Sequence, residues 1–313
     1  MNGQKTKEAA PKSAADEAHG LYYSMKTAEA LDLLRKRVKE EPKDAEAWMC
    51  LGDILLGEEA YGESVEAYRA ARECGGADKD NVLKASMQVI QVLRDNIKDY
   101  AECRKEVMGF ISFVEKEFPS EEERKPFLVL AYHAAGVCSK KLGDYADAQK
   151  QLRKAIELAM PADKRIEDER AYYQLGEAYL RDAKWREAED CFSKVIMINS
   201  NLDDAWMSRG LARGFGGDLQ GGLDDVKTAI AKNEKNAIAR NEKTALAKNE
   251  KYHRAWCAKG ILEIRALKYE DAVESLTKAL SLQPDYDVAR EWLRVALRRD
   301  SLEFLANFPE SAD

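Results

Sequence analysis

Residues that break helices are scarce in this sequence. Among 313 residues there are 18 glycines and 7 prolines. Leu, Ala, Glu, Lys and Arg predominate instead, and all of them favour helix, which predicts an all-α fold. No apolar run reaches the roughly 18 residues that a membrane-spanning helix needs, so we expect no insertion into a membrane.

An excess of basic charge is also missing. The chain carries 50 Lys and Arg against 57 Asp and Glu, which gives a net charge of −7. The two signs are interspersed, whereas proteins that bind a phosphate backbone present a basic face. We therefore expect no nucleic-acid ligand, and an RNA-binding helical repeat is the least favoured functional hypothesis.

Clustered metal ligands and catalytic motifs are absent from the sequence. The six cysteines occur without a CxxC pair and the three histidines are far apart, so we expect reduced, partly buried thiols and no metal site. There is no G-x-x-x-x-G-K-[ST], G-x-S-x-G or H-E-x-x-H motif. The sequence assigns no partner carboxylate or cysteine to His133. These absences predict a protein that is not an enzyme and has no cofactor.

The first 20 residues, MNGQKTKEAAPKSAADEAHG, are charged or small and contain no apolar segment. A secretory signal requires such a segment, so the protein is predicted to be cytoplasmic. Residues 1–18 are interpreted as a flexible N-terminal tail.

Two stretches of the chain share one skeleton. WMCLGDIL begins at Trp48 and YYQLGEAY begins at Tyr172, and each has an aromatic residue, then Leu and Gly, then a large apolar residue. Sixteen residues after each aromatic comes a small residue, and four places further on stands a second aromatic, Tyr68 or Phe192. The pattern resembles the tetratricopeptide repeat (TPR), a helix-turn-helix of 34 residues.

The same pattern fits most of the chain. If each repeat starts three residues before its aromatic, the glycine position is filled by Gly52, Gly136, Gly176, Gly210 and Gly260. Glycine at this position is expected to let the two helices of a repeat approach closely. Two further repeats lack it and are more divergent. The predicted repeats are residues 11–44, 45–78, 84–117, 129–162, 169–202, 203–235 and 253–286.

The resemblance implies an all-α, right-handed superhelical solenoid of about seven TPR repeats across residues 19–286, because one helix hairpin cannot bury its apolar face alone. Such an array requires a cap. DVAREWLRVALRR places Val288, Trp292, Val295 and Ala296 on one face, as expected of an amphipathic terminal helix. Residues 287–313 are therefore interpreted as a capping helix followed by a tail.

Between the last two repeats, the stretch TAIAKNEKNAIARNEKTALAKNEK states nearly the same eight residues three times. The two repeats start 50 residues apart instead of 34, an excess of two octads. Eight residues turn a helix face by about 80°, so the apolar residues cannot form one buried stripe. We expect residues 236–251 to be a helical, solvent-exposed insertion that leaves the last repeat semi-independent.

The one glycine-rich stretch is GFGGDLQGG, residues 214–222. It lacks the Lys of a phosphate-binding loop and falls between the two helices of its repeat. It is therefore interpreted as a loose turn within the repeat.

In the TPR family, the first helix of each repeat supplies most of the concave binding groove. The resemblance therefore implies a groove in the last three repeats, an apolar strip edged by arginines, although part of the strip has the alternative of packing against a neighbouring repeat. The predicted partner-binding residues are Arg170, Tyr173, Glu177, Arg181, Met207, Leu211, Phe215, Arg254, Cys257, Ile261 and Arg265.

The resemblance implies a non-catalytic scaffold or adaptor, expected to be a monomer, that binds a partner protein or peptide with apolar anchors and acidic flanks. The alternative is a constitutive regulatory subunit of a larger enzyme or secretion-type assembly, which is expected to self-associate or to co-purify. The first helices lack the Asn residues of carboxylate-clamp TPR domains. Binding of a Glu-Glu-Val-Asp tail is therefore not expected.

Overall fold

The computed structural model describes residues 13–75, 78–159, 169–239 and 250–298. Within these ranges the chain forms fifteen α-helices and one π-helical turn, and no β-strand. The predicted all-α class and the architecture of tandem helix hairpins are confirmed. The chain divides into two compact units, residues 1–142 (unit 1) and 143–313 (unit 2).

In unit 1, each helix packs against the next one along the chain. Its elements are α1 (Ala14–Tyr23), α2 (Thr27–Glu40), α3 (Ala45–Gly57), α4 (Tyr61–Gly75), α5 (Lys79–Gln91), the π-helical turn (Val92–Ile97), α6 (Tyr100–Glu117) and α7 (Glu121–Lys141).

In unit 2, each helix also packs against the next, and the odd-numbered helices α9, α11, α13 and α15 contact one another in order. The helices of unit 2 are α8 (Tyr145–Ala159), α9 (Glu169–Arg181), α10 (Trp185–Ile198), α11 (Asp203–Gly216), α12 (Leu219–Ala239), α13 (Glu250–Arg265), α14 (Tyr269–Leu282) and α15 (Asp287–Arg298). One hydrophobic core runs from α8 to α15.

The repeat glycines lie where two helices cross. A Cβ atom on Gly52 would lie 2.6 Å from the ring of Tyr68, and one on Gly176 would lie 2.9 Å from the ring of Phe192. Such distances are shorter than any side chain tolerates. The glycine of α3 or α9 and the aromatic of the following helix are thus complementary halves of one contact, as the sequence spacing indicated.

The turns keep one register in both units. The fifteenth residue of each predicted repeat has a positive φ angle, which reverses the chain after a helix. Only two of these seven residues are glycine, although glycine is the residue that adopts this conformation without strain. They are Met25, Glu59, Lys98, Gly143, Ala183, Gly217 and Leu267.

The N-terminal helix begins inside the segment predicted to be a flexible tail. Residues 14–18 belong to α1, so the predicted boundary at residue 18 is wrong. Ser13 caps this helix by accepting a hydrogen bond from the Asp16 amide at 3.1 Å, and the Asp16 side chain accepts one in return from the Ser13 amide. Ala15 and Ala18 are buried in the core of unit 1. Residues 1–12 lie outside the described ranges.

The end of the chain contains the expected cap. α15 buries Val288, Ala289, Trp292 and Ala296, and Trp292 is 1% exposed. Val295, predicted for the same face, packs against this core but is only partly buried. Residues 299–313 lie outside the described ranges.

The last repeat is not semi-independent. α13 packs on both α11 and α12, and its residues belong to the common core of unit 2. The insertion begins as helix, because α12 continues to Ala239, and it ends as helix, because α13 begins at Glu250. Residues 240–249 and the side chains of residues 235–251 lie outside the description, so the predicted exposure of the insertion stays a prediction.

The glycine-rich stretch is a helix crossing and not a loose turn. Only Gly217 and Asp218 lie outside α11 and α12. A Cβ atom on Gly222 would lie 2.6 Å from the carbonyl oxygen of Gly210 and 2.9 Å from the amide nitrogen of Gly214. The glycines are therefore needed for backbone to approach backbone.

Candidate partner-binding face

The predicted binding residues lie on α9, α11 and α13, the first helices of the last three predicted repeats. These three helices pack against one another in chain order, and each also packs on the second helix of its own repeat. One side of each first helix therefore belongs to the interior of its hairpin. Residues that are three or four places apart lie on the same face of a helix. The face that contacts the first helix of the next repeat is therefore lined by residues at this spacing.

The apolar members of the predicted strip are buried. Met207, Leu211 and Phe215 of α11 are 4%, 9% and 8% exposed, and Cys257 and Ile261 of α13 are also buried. All five belong to the hydrophobic core of unit 2. These residues of the strip therefore pack against neighbouring helices, which is the alternative that the sequence left open. The reason is that α11 contacts α9, α10, α12 and α13, which leaves little of its surface to solvent.

Phe215 shows most clearly why the strip is core. Its ring stacks on Trp185 of α10 with 5.2 Å between ring centroids, and the guanidinium carbon of Arg265 lies 4.5 Å from the Phe215 centroid. Burial lowers the pKa of Arg265. Phe215 thus links α10, α11 and α13, and its contacts are already made within the chain.

The predicted residues that reach solvent are the polar ones. Arg170 is exposed, and Tyr173, Glu177, Arg181, Arg254 and Arg265 are half-buried. The face is therefore a charged surface above an apolar core.

Tyr173 connects all three first helices. Its hydroxyl group is hydrogen-bonded to Ser208 of α11 and interacts electrostatically with Glu177, with Asp204 and with Arg254 of α13. Burial is the main cause of the raised pKa of Tyr173, and the two carboxylates raise it further. Its ring meets Phe192 edge-on with 5.6 Å between centroids, which holds the hydroxyl group in place.

Tyr286 completes the cluster, although the sequence pattern did not select it. It lies between α14 and α15, where it is hydrogen-bonded to Arg254 and interacts electrostatically with Arg181. Its ring lies 4.5 Å from that of His253. Burial raises the pKa of Tyr286 and raises the pKa of the neighbouring Cys257 to about 12.

The only signal for Tyr286 in the sequence is an aromatic two residues after Pro284, outside the first-helix positions from which the groove was predicted. We name Tyr173, Arg181, Arg254 and Tyr286 the tyrosine–arginine cluster. It draws together side chains from α9, from α13 and from the segment that precedes α15.

Two other kinds of site were searched for in the described ranges. No group of three or more His, Cys, Asp or Glu side chains in them is arranged to hold a metal ion. No described helix is long and apolar enough to cross a membrane.

Comparison with known families agrees with the hairpin architecture. Three sequence models, each described as tetratricopeptide repeat, match residues 15–79, 127–198 and 253–286. The chain belongs to the tetratricopeptide repeat family. No curated protein sequence matches it significantly.

Solved structures with low sequence identity share the fold. A tetratricopeptide repeat protein from Parabacteroides merdae has a TM-score of 0.56 at 14% identity, over 91% of this chain and 97% of its own. The C-terminal part of a TPR repeat-containing protein from Cytophaga hutchinsonii has a TM-score of 0.60 at 15% identity, over 89% and 99%. The APC/C hetero-tetramer Cut9–Hcn1 matches with a TM-score of 0.55 at 13% identity, over 91% of this chain and 48% of its own.

Proposed function

We propose that the protein is a non-catalytic scaffold that binds a partner protein or peptide on the face formed by α9, α11 and α13. The observation that carries this proposal is the tyrosine–arginine cluster, in which Tyr173 of α9 and Tyr286, before α15, both interact with Arg254 of α13. A rigid array of helices that displays such a cluster is suited to recognising another chain.

The chemistry of the face favours an acidic partner. It carries four arginines against two carboxylates, in a chain whose net charge is −7; they are Arg170, Arg181, Arg254 and Arg265, and Glu177 and the buried Asp204. Arginine donates paired hydrogen bonds to a carboxylate, and a tyrosine hydroxyl group beside it can donate another. Because the apolar strip is buried, we expect recognition by charge-assisted hydrogen bonds at this face and not by large apolar anchors.

The proposal is tested by selecting peptides from a displayed random library with the intact protein. We expect enrichment of peptides rich in Asp and Glu, and affinities that fall as salt is raised. Arg181→Glu combined with Arg254→Glu is expected to weaken the selected peptides by about 1 to 3 kcal/mol for each arginine. Arg186→Glu is the matched control, because Arg186 is exposed on the second helix α10.

Equal loss of binding in the Arg186→Glu control would show that only overall charge matters and would refute a site at the cluster. Unchanged binding in the double variant would do the same. Light scattering on the purified protein separates the two functional hypotheses. A monomer that releases its peptide reversibly supports the scaffold, whereas a complex of fixed stoichiometry that survives dilution supports a constitutive subunit.

A further inference from the structure

Cys103 occupies a position that the repeat pattern normally gives to alanine. DYAEC in unit 1 has the same form as DYADA at the start of α8, and Cys103 stands where the second sequence has Ala148. Asp99 caps α6 by accepting a hydrogen bond from the Glu102 amide at 3.0 Å. Cys103, four residues after this cap residue, is fully buried, and its thiol donates to the carbonyl oxygen of Ile90 at 3.5 Å.

A second buried thiol lies against it. Cys138 is on α7, which packs on α6, and it is also 0% exposed. The two thiols are hydrogen-bonded to each other. The interactions described for Cys50, Cys74, Cys191 and Cys257 include no second cysteine. This pair is therefore distinct within the described part of the chain.

The two thiols hold their protons unequally. The hydrogen bond with Cys138 and burial together raise the pKa of Cys103. The same hydrogen bond lowers the pKa of Cys138, and the positive charge of Arg94 lowers it further against the effect of burial. Of the two thiols, Cys138 is therefore the one that loses its proton more readily, and its thiolate is the nucleophilic form.

The residue that acts electrostatically on both thiols lies on an irregular piece of backbone. Arg94 belongs to the π-helical turn, which ends at Lys98 in a left-handed conformation. Its side chain is 28% exposed, is held by Asp95 through contacts of 2.7 and 2.8 Å, and interacts electrostatically with both thiols. π-Helical turns strain the regular hydrogen-bond ladder and occur frequently at functional sites.

We propose that Cys103 and Cys138 are an oxidation site at which a peroxide forms a reversible disulfide between α6 and α7. The Cys138 thiolate attacks one oxygen of hydrogen peroxide, which breaks the O–O bond and gives a sulfenic acid and hydroxide. The Cys103 sulfur then attacks the Cys138 sulfur, and a second hydroxide leaves. With the two thiol protons, the products are one disulfide and two water molecules. A dithiol reductant returns both thiols.

The test uses the full chain carrying Cys74→Ser, which removes the one cysteine that is not fully buried. The folded protein is treated with hydrogen peroxide, denatured, alkylated and digested for mass spectrometry. We expect a Cys103–Cys138 cross-linked peptide, with Cys50, Cys191 and Cys257 alkylated. Cys103→Ser and Cys138→Ser should each abolish the cross-link, and Cys191→Ser, a buried cysteine without a thiol partner, should keep it.

Stability gives a second measurement that does not depend on the serine variants folding. The oxidised protein should unfold at a higher urea concentration than the reduced one, and dithiothreitol should remove the difference. The proposal is wrong if Cys103 and Cys138 are both alkylated after peroxide has oxidised Cys74 in the unmodified chain. It is equally wrong if the cross-link appears only when urea is present, or if either residue pairs with another cysteine.

Discussion

The hairpin α3–α4 of unit 1 and the hairpin α11–α12 of unit 2 share one register but have interiors of opposite character. The seventh, eleventh and twenty-third positions of the repeat face each other inside the hairpin. They are Leu51, Leu55 and Ala67 in α3–α4, all buried, and Arg209, Arg213 and Asp225 in α11–α12. At these positions the first hairpin has only apolar side chains, whereas the second has a buried carboxylate between two guanidinium groups.

The ionic interior is well satisfied. Asp225 is 6% exposed and accepts hydrogen bonds at 2.8 Å from Nε and Nη2 of Arg209 and at 3.0 Å from Nη1 of Arg213. Arg213 also donates to Glu189 of α10 at 2.7 Å. The guanidinium group of Arg209 lies 4.8 Å from the Trp206 ring centroid. Such a network offsets the cost of removing charges from water only while every member is present.

In the hairpin α13–α14, the same three positions are occupied by Lys259, Glu263 and Ser275. Here Lys259 and Glu263 pair along α13 at 2.8 Å, and the hydroxyl group of Ser275 on α14 bridges them. The opposite charges are one helical turn apart on one helix, so most of the charge balance is local. The same three positions of the repeat can therefore hold apolar side chains, an ion pair between two helices, or an ion pair along one helix.

Removing the Asp225 carboxylate is expected to have the largest effect on the difference between the two hairpins. Asp225→Ala leaves two largely hidden guanidinium groups without their shared acceptor, so we expect a loss of about 3 to 5 kcal/mol in the free energy of unfolding. Urea denaturation followed by circular dichroism measures it. Asp224→Ala, at an exposed position one residue away, should change little.

A triple variant is expected to regain the stability that Asp225→Ala loses. Changing Arg209 and Arg213 to Leu together with Asp225→Ala recreates the interior of α3–α4, and stability should return to within about 1 kcal/mol of the unmodified protein or exceed it. A triple variant as unstable as Asp225→Ala would show that the loss came from the cavity and not from unpaired charge.

Acid sensitivity distinguishes ionic from apolar contacts in unit 1. Glu106 of α6 accepts hydrogen bonds from Arg69 and Arg72 of α4, and although burial raises the pKa of Glu106, these hydrogen bonds lower it more. Because the folded pKa lies below the ordinary 4.5, the carboxylate stabilises the fold above that pH, and this stabilisation is lost as the pH falls through the folded value.

Glu106→Gln should therefore cost about 1.5 to 3 kcal/mol at pH 7. The difference from the unmodified protein should shrink in urea titrations below pH 4.5. Glu115→Gln, at an exposed position of the same helix, is the control. A difference that is constant with pH would mean that the Glu106 charge is not what holds α4 to α6.

Ser275→Ala sharpens the contrast between the two ionic interiors. It removes the bridging hydroxyl group but leaves the Lys259–Glu263 pair intact, so we expect a loss of only about 1 kcal/mol. Thermal and urea unfolding measure it beside Asp225→Ala. If the two losses were equal, the local pairing on α13 would not be protecting its hairpin. Ser281→Ala, at an exposed site on α14, is the matched control.

The smallest expected effect concerns the turns of two successive hairpins. Gly217 and Leu267 occupy the same register position with φ angles of 110° and 61°. Leu267 is 60% exposed, so Leu267→Gly loses little burial and relieves the left-handed strain, with an expected gain of about 0.5 to 1 kcal/mol. Gly217→Ala should lose about as much. A destabilised Leu267→Gly would contradict this account of the turn.

Part of the candidate site was accessible from sequence. The first-helix pattern selected Tyr173, Arg181 and Arg254, which the structure brings together with Tyr286. It also selected Met207 and Phe215, which are buried against neighbouring helices. Helical spacing gives the face of a residue on its own helix but not how many neighbours cover that face. The Leu position of WMCLG is Arg in WMSRG and Lys in WCAKG, and this change was the available sign of the ionic interiors.

What the sequence determined by itself is the helix-and-turn register. The Gly52–Tyr68 and Gly176–Phe192 contacts follow from spacing within one hairpin, and the left-handed residues recur at one position from Met25 to Leu267. Only the tertiary structure decided which two thiols lie together, which strip is buried and where Tyr286 lies. Those outcomes depend on packing between separate helices, whose relative placement is set by the summed contacts of the core and is not encoded in any local period.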